Sequence, residues 1–232
     1  MPTFTPEEWT AIALSVRVAL AATAASLPIA ILAGYALARW SFPGKALLNG
    51  LLHLPLVLPP VVTGYLLLLS FGRQGPIGAF LYDTFGISFS FRWTGAALAC
   101  AVMSFPLMLR AIRLSFELID RRLEAAAGTL GANPVWTFLV VTLPLALPGI
   151  LVGAILCFAK ALGEFGATIT FVSNIPGETQ TIPSAIYSYT QVPGGEAGAL
   201  RLAAVSLAIA LVALIASEAL SQRALKRTSV FE

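Results

Sequence analysis

Five apolar runs, at residues 11–38, 51–71, 94–109, 138–159 and 200–216, leave this chain few ways to fold. A helix rises about 1.5 Å per residue, so a run of about 20 residues reaches across the ~30 Å hydrocarbon layer of a bilayer. Lipid offers no partner to a backbone N–H or C=O, and a helix satisfies those groups internally. Hydrophobic residues make up 58% of the 232 and charged ones 11%, against about 25% charged in ordinary soluble domains. A water-soluble fold cannot hide that much apolar surface. The expected fold is an all-α polytopic membrane protein, one domain over 1–232 with about five transmembrane helices.

Loop charge predicts the orientation. Arg39, Lys45, Arg110, Arg113, Arg121, Arg122, Arg223, Lys226 and Arg227 are nine of the fourteen basic residues, and all fall on one side if the N-terminus is outside. The other side holds chiefly Arg73, Arg92, Lys160 and Arg201, mixed with Asp83, Glu164, Glu178 and Glu196. The positive-inside rule therefore expects the N-terminus, with Glu7 and Glu8, outside and the C-terminus in the cytoplasm. Residues 1–10 carry no Lys or Arg, so the first span is expected to stay in the mature protein. The net charge of +3 is too small and scattered to call for nucleic acid. Cys100 and Cys157 lie inside apolar runs and show no metal-ligand spacing.

Within the runs, Pro28 predicts a kink, and Pro55, Pro59 and Pro60 leave several carbonyls of the second run without helical donors. Either that helix is broken and lines a path, or its kink packs on neighbours. His53 reads as a packed or interfacial histidine. Arg17 snorkels or pairs with a helix, or else draws an anion inward. A short surface helix is expected around 77–85 and a Gly/Pro-rich loop at 187–198.

Between the third and fourth runs, residues 120–137 break the apolar pattern. Glu124, Ala125, Ala126 and Ala127 open a helix by propensity, Gly128 and Gly131 interrupt it, and Asn133-Pro134 supplies a cap and a helix-starting proline. Leu130, Val135, Trp136 and Phe138 stand beside the turn as apolar knobs. The expected form is helix, glycine turn, helix: a docking surface for a soluble partner, or a plain connector. A bulky charge at Gly131 is expected to block docking rather than folding.

This stretch resembles the EAA loop of ABC importer permeases, with Glu124-Ala125-Ala126 followed by Gly131 and then Thr142-Leu143-Pro144. The resemblance implies a type I ABC importer permease fold in which Glu124, Ala125, Ala126, Gly131, Pro134 and Trp136 form the ATPase-coupling loop. The chain itself has no phosphate-binding loop: Gly44-Lys45 is followed by Ala46, and Arg39 stands where the first glycine would be. ATP hydrolysis would fall to a partner chain, so this one is expected to be non-catalytic.

A second feature follows the fourth run. Residues 160–173 are too short and charged to span, yet too apolar for an ordinary loop. They read as an element closing the outer mouth, with Gly163, Glu164, Phe165, Gly166 and Thr168 as the candidate gate, or as an interfacial helix with Lys160 and Glu164 paired one turn apart.

Nearly the whole chain is similar to the permease of bacterial molybdate ABC importers. Phe42-Pro43-Gly44-Lys45, the 53–62 stretch HLPLVLPPVV, Met103-Ser104-Phe105-Pro106-Leu107, 163–168 and 173–179 carry that resemblance. It implies a multi-pass protein of the bacterial inner membrane that forms a homodimer with two cytoplasmic ABC ATPase subunits and a periplasmic molybdate-binding protein. No cofactor is expected in this chain, ATP and magnesium belonging to the ATPase. Sulfate permeases look similar over much of the length, and tungstate is a second cargo. A tetrahedral dianion needs donors that release it again, so Thr63, Tyr65, Ser104 and Thr168 are candidate pathway residues, or else polar groups packing helices together. Two other classes fit less well. An ion-coupled exchanger needs buried carboxylates that the spans lack, and a membrane scaffold would have no vestibule.

Overall fold

The computed structural model describes residues 4–228, with side chains described through 222. Eleven α-helices follow in order among the described residues: α1 Pro6–Arg39, α2 Lys45–Val57, α3 Pro60–Phe71, α4 Pro76–Phe85, α5 Trp93–Glu117, α6 Arg121–Thr129, α7 Pro134–Thr137, α8 Leu143–Leu162, α9 Gly166–Val172, α10 Ile182–Thr190 and α11 Glu196–Thr228. A π-helical segment, Phe138–Thr142, joins α7 to α8 without a break. Four stretches are long and apolar enough to cross a membrane: Pro6–Arg39, Trp93–Glu117, Pro134–Leu162 and Glu196–Gln222.

The helices outrun the apolar runs. Thr5 and Glu8 close a reciprocal capping box that starts α1 before the first run begins. At the other extreme α5 continues past Leu109 to Glu117, carrying Arg110 and Arg113 on the helix rather than in a loop, with Arg113 bonded to Glu117 one turn on. The loop expected at 187–198 is mostly absent. Residues 187–190 finish α10, whose start takes Pro183 in its first turn, and α11 begins at Glu196.

The second apolar run is two helices, α2 and α3, whose axes differ by 114°. Residues preceding proline are pushed out of the helical region, and Leu58 (φ −69°, ψ 142°) and Pro59 (φ −55°, ψ 134°) are extended. Pro60 then starts α3. Pro28, Pro55 and Pro106 stay inside continuous helices, so the tandem pair makes the break.

Side-chain contacts fix the register of the bundle. Arg17 stacks on the Trp93 ring at 3.8 Å, and Arg39 donates to the Ile119 carbonyl at 3.0 Å, so α1 and α5 run parallel. Helix α8 runs against α5: Ser115 bonds to the Ala146 carbonyl, Cys157 to Ser104, and Cys100 to the Ala161 carbonyl. Arg201 of α11 binds Glu8 of α1 through Nη2 at 2.6 Å and Nε at 3.1 Å. The Glu8 side chain is fully buried there. One end of the bundle thus gathers Glu8, Trp93, Lys160 and Arg201, and the other gathers Arg39, Glu117 and the 120–137 loop. Buried Leu14, Val18, Cys100, Met103, Phe171 and Val172 fill the core toward the first end; Met108, Ile112, Phe116 and Ile150 fill it toward the second. The side chains of Arg223, Lys226 and Arg227 lie outside the described residues.

Candidate functional site

Residues 120–137 fold as helix, turn and helix. Asp120 caps α6 by accepting from the Arg122 amide at 2.9 Å, and Asn133 caps α7 by accepting from the Trp136 amide at 2.8 Å. Between them Gly131 holds φ +88°, a left-handed turn conformation costly for any other residue. A substitution there strains the turn before it meets a partner, which corrects the expectation that folding would be indifferent. Leu130 is 89% exposed, Val135 69% and Trp136 59%, while Ala125, Ala126 and Pro134 are also exposed. A groove of about 370 Å³ runs beside them, lined by Ala127, Leu130, Gly131, Trp136, Thr137 and Val140. Phe138 instead turns inward against Tyr35 at 4.8 Å between ring centres.

Glu124 also turns inward. Its Oε1 lies 3.2 Å from Arg39 Nη2 and accepts from the Thr142 hydroxyl at 2.9 Å. The Arg39 side chain, only 7% exposed, donates in addition to the Ile119 carbonyl. One carboxylate therefore pins α6 to the end of α1 and to the π-helical segment leading into α8. The exposed part of this loop is its apolar ridge, and its glutamate is the anchor. Arg39 and Thr142 join the site only in three dimensions. In the sequence Arg39 reads as the end of a span, and nothing in its spacing names Glu124 as partner.

At the opposite end, of the residues read as a gate, Glu164 and Thr168 are buried in the bundle, Phe165 and Gly166 are half-buried and Gly163 is exposed. Lys160 and Glu164 form the pair one turn apart at 3.2 Å, but Glu164 is buried and accepts from the Ala167 amide at 3.1 Å, capping α9. Thr168 is buried and donates to the Phe165 carbonyl at 2.9 Å. Phe171 and Val172 are fully buried in the core, so α9 is not an amphipathic helix lying on a surface. It packs on α3 so closely that a Cβ on Gly64 would sit 2.5 Å from the Ala167 carbonyl oxygen. Gly166 meets Pro60 at the α2–α3 break. Ser173, just after α9, has φ +66° and ψ −161°, a region kept almost entirely for glycine.

The four pathway candidates lie in different surroundings in a single copy. Thr63 is buried beside Gly64 with its hydroxyl unpartnered, while Tyr65 is 53% exposed on the other face of α3. Ser104 lies in the core, donating to the Cys100 carbonyl and accepting from Cys157. Its geometry is that of a helix-packing hydroxyl. His53 bonds through Nδ1 to the Asn49 carbonyl at 2.8 Å.

Comparison with known proteins adds a family to this geometry. Residues 26–226 match the family described as binding-protein-dependent transport system inner membrane component. Over 218 residues the chain is 61% identical to the molybdenum transport system permease protein ModB of Escherichia coli strain K12, covering 94% of this chain and 95% of that one. It is 38% identical over 200 residues to the sulfate transport system permease protein CysW of Synechococcus elongatus, covering 83% and 70% respectively. Among solved structures, a bacterial alginate ABC transporter in complex with a pentasaccharide-bound periplasmic protein superimposes with a TM-score of 0.72 at 16% identity. That match covers 94% of this chain and 80% of the other, and the likeness is one of fold.

Proposed function

The chain belongs to the family of binding-protein-dependent transport system inner membrane components, and from that premise we propose that it is the permease subunit of an ATP-driven molybdate importer. The observation that carries the cargo is the 61% identity over 95% of a molybdenum permease, against 38% to a sulfate one. Two copies assemble with two cytoplasmic ABC ATPases and receive molybdate or tungstate from a periplasmic binding protein. ATP and magnesium bind the ATPases, and this chain performs no chemistry. The N-terminus faces the periplasm.

In this reading the ridge of Leu130, Val135 and Trp136 seats in the ATPase, and Glu124 passes its movement to α1 and α8 together. Helix α9, with Gly163, Glu164, Phe165, Gly166 and Thr168, closes the outer mouth when the path opens to the cytoplasm. Its support is the contact of α9 with the α2–α3 break, which lets a change in that bend move the gate. Thr63, with a buried hydroxyl and no partner, is the candidate to greet an oxyanion as α3 and α9 part. The test is uptake into vesicles holding permease, ATPase and binding protein. Molybdate uptake requires ATP inside and is competed by tungstate more strongly than by sulfate. Uptake that sulfate competes equally well would reassign the cargo, and uptake without the ATPase would reject the class.

A further inference from the structure

A second groove, of about 380 Å³, opens between α2 and α5 near the end that carries the coupling loop. Asn49 and His53 face it from one turn of α2, and Arg110, Arg113, Leu114 and Glu117 from one face of α5. Arg113 donates through Nε to Glu117 at 2.7 Å and through Nη1 to the Asn49 side-chain oxygen at 3.0 Å. A carbonyl can only accept, so the His53 bond to the Asn49 backbone makes Nδ1 the donor and leaves Nε2 uncommitted. In the neutral ring that Nε2 carries a lone pair and adds no donor, whereas the Asn49 amide nitrogen is left as one. Among the described residues Arg110 pairs with no carboxylate.

Two guanidinium groups and an amide therefore offer donors around a groove that one carboxylate and an imidazole also line. Solvated arginines at a helix end would satisfy the orientation rule alone, and Arg110 is exposed, but Arg113 is tied across to Asn49 of the second helix at the opening. Planar guanidinium forks match oxyanions bidentately. We propose that this groove binds a tetrahedral oxyanion group, holding the cargo as it leaves on the coupling-loop side. The inference rests on the permease reading for its occupant. Glu117 already holds Arg113 through Nε, so its carboxylate competes with an arriving anion, which keeps the hold weak and the release fast. The phosphate of an anionic lipid headgroup shares this chemistry.

The test uses the purified permease–ATPase complex in phosphatidylcholine nanodiscs. Arginine modification by phenylglyoxal is followed residue by residue by mass spectrometry, with tungstate against chloride of equal ionic strength. At ten times its dissociation constant, tungstate slows modification of Arg110 and Arg113 about tenfold while Arg73 is unaffected. Glu117→Gln, which removes the competing carboxylate, moves that protection to lower tungstate. Protection by phosphatidylglycerol discs without added anion would keep the oxyanion-group site and name the headgroup as its source. Equal modification under all these conditions overturns the proposal. ATP-driven molybdate uptake by the same complex, reconstituted with the binding protein into closed vesicles, separates the two failures. Uptake without protection rejects the groove alone, and protection without uptake rejects the permease reading.

Discussion

Glu124 sits in a loop and is nevertheless held on two sides, by Arg39 and by Thr142. Replacing it with Gln removes the charge facing a guanidinium that is nearly closed to water, a loss of about 2–3 kcal/mol. Glu124→Gln should lower the melting temperature in detergent by about 5–10 °C. An Arg39→Gln, Glu124→Gln double variant should lose less than the sum of the singles. Strain at Ser173 predicts the opposite sign: Ser173→Gly should stabilise by about 1–2 kcal/mol, read as a higher melting temperature, because only glycine holds that backbone without cost. Local chemistry made the Asn133 cap and the Gly131 turn legible in the sequence. The Arg39–Glu124 pair was not, because it joins residues that only the packing of α1 on α5 and α6 brings together.

The proposed coupling role of residues 120–137 has a cleaner test at Leu130 than at Gly131. Leu130 is 89% exposed and contributes little to the fold, whereas Gly131→Glu adds turn strain to whatever it does at an interface. Leu130→Glu should leave membrane levels unchanged and weaken co-purification of the ATPase about thirtyfold, the effect of burying a charge worth about 2 kcal/mol at a contact. Retention of both ATPase and uptake would make the loop a connector. Near α9, Gly64→Val should push α3 off the Ala167 carbonyl and destabilise the protein by about 1–3 kcal/mol, seen in the same melting assay. The prolines announced a disturbance in the second run, but its size did not follow from them. Pro55 is absorbed inside α2, while Pro59-Pro60 turns the chain by 114°. The difference lies in the extended conformation that one proline forces on the residue before it, here itself a proline.

For the whole molecule, the apolar runs made the helical membrane architecture legible, and loop charge supplied an orientation. Helix ends were less legible, because amphipathic turns such as 110–117 continue a helix beyond the hydrocarbon without adding to its apolar signal. Helices α2 and α11 leave most of their apolar surface uncovered, as helices that meet lipid do. Single cysteines at Glu7 and Leu130, in a background lacking Cys100 and Cys157, should label from opposite sides of the membrane, the first from outside. Labelling of both from one side would contradict the five-span reading. The pairing of buried Glu8 with half-buried Arg201 bears, finally, on how the chain is made. Synthesis runs from the first residue to the last, so Glu8 reaches the membrane 193 residues ahead of the arginine that neutralises it. Until α11 arrives the nascent protein carries a carboxylate without its partner. The last span to be translated is thus the one that completes the first.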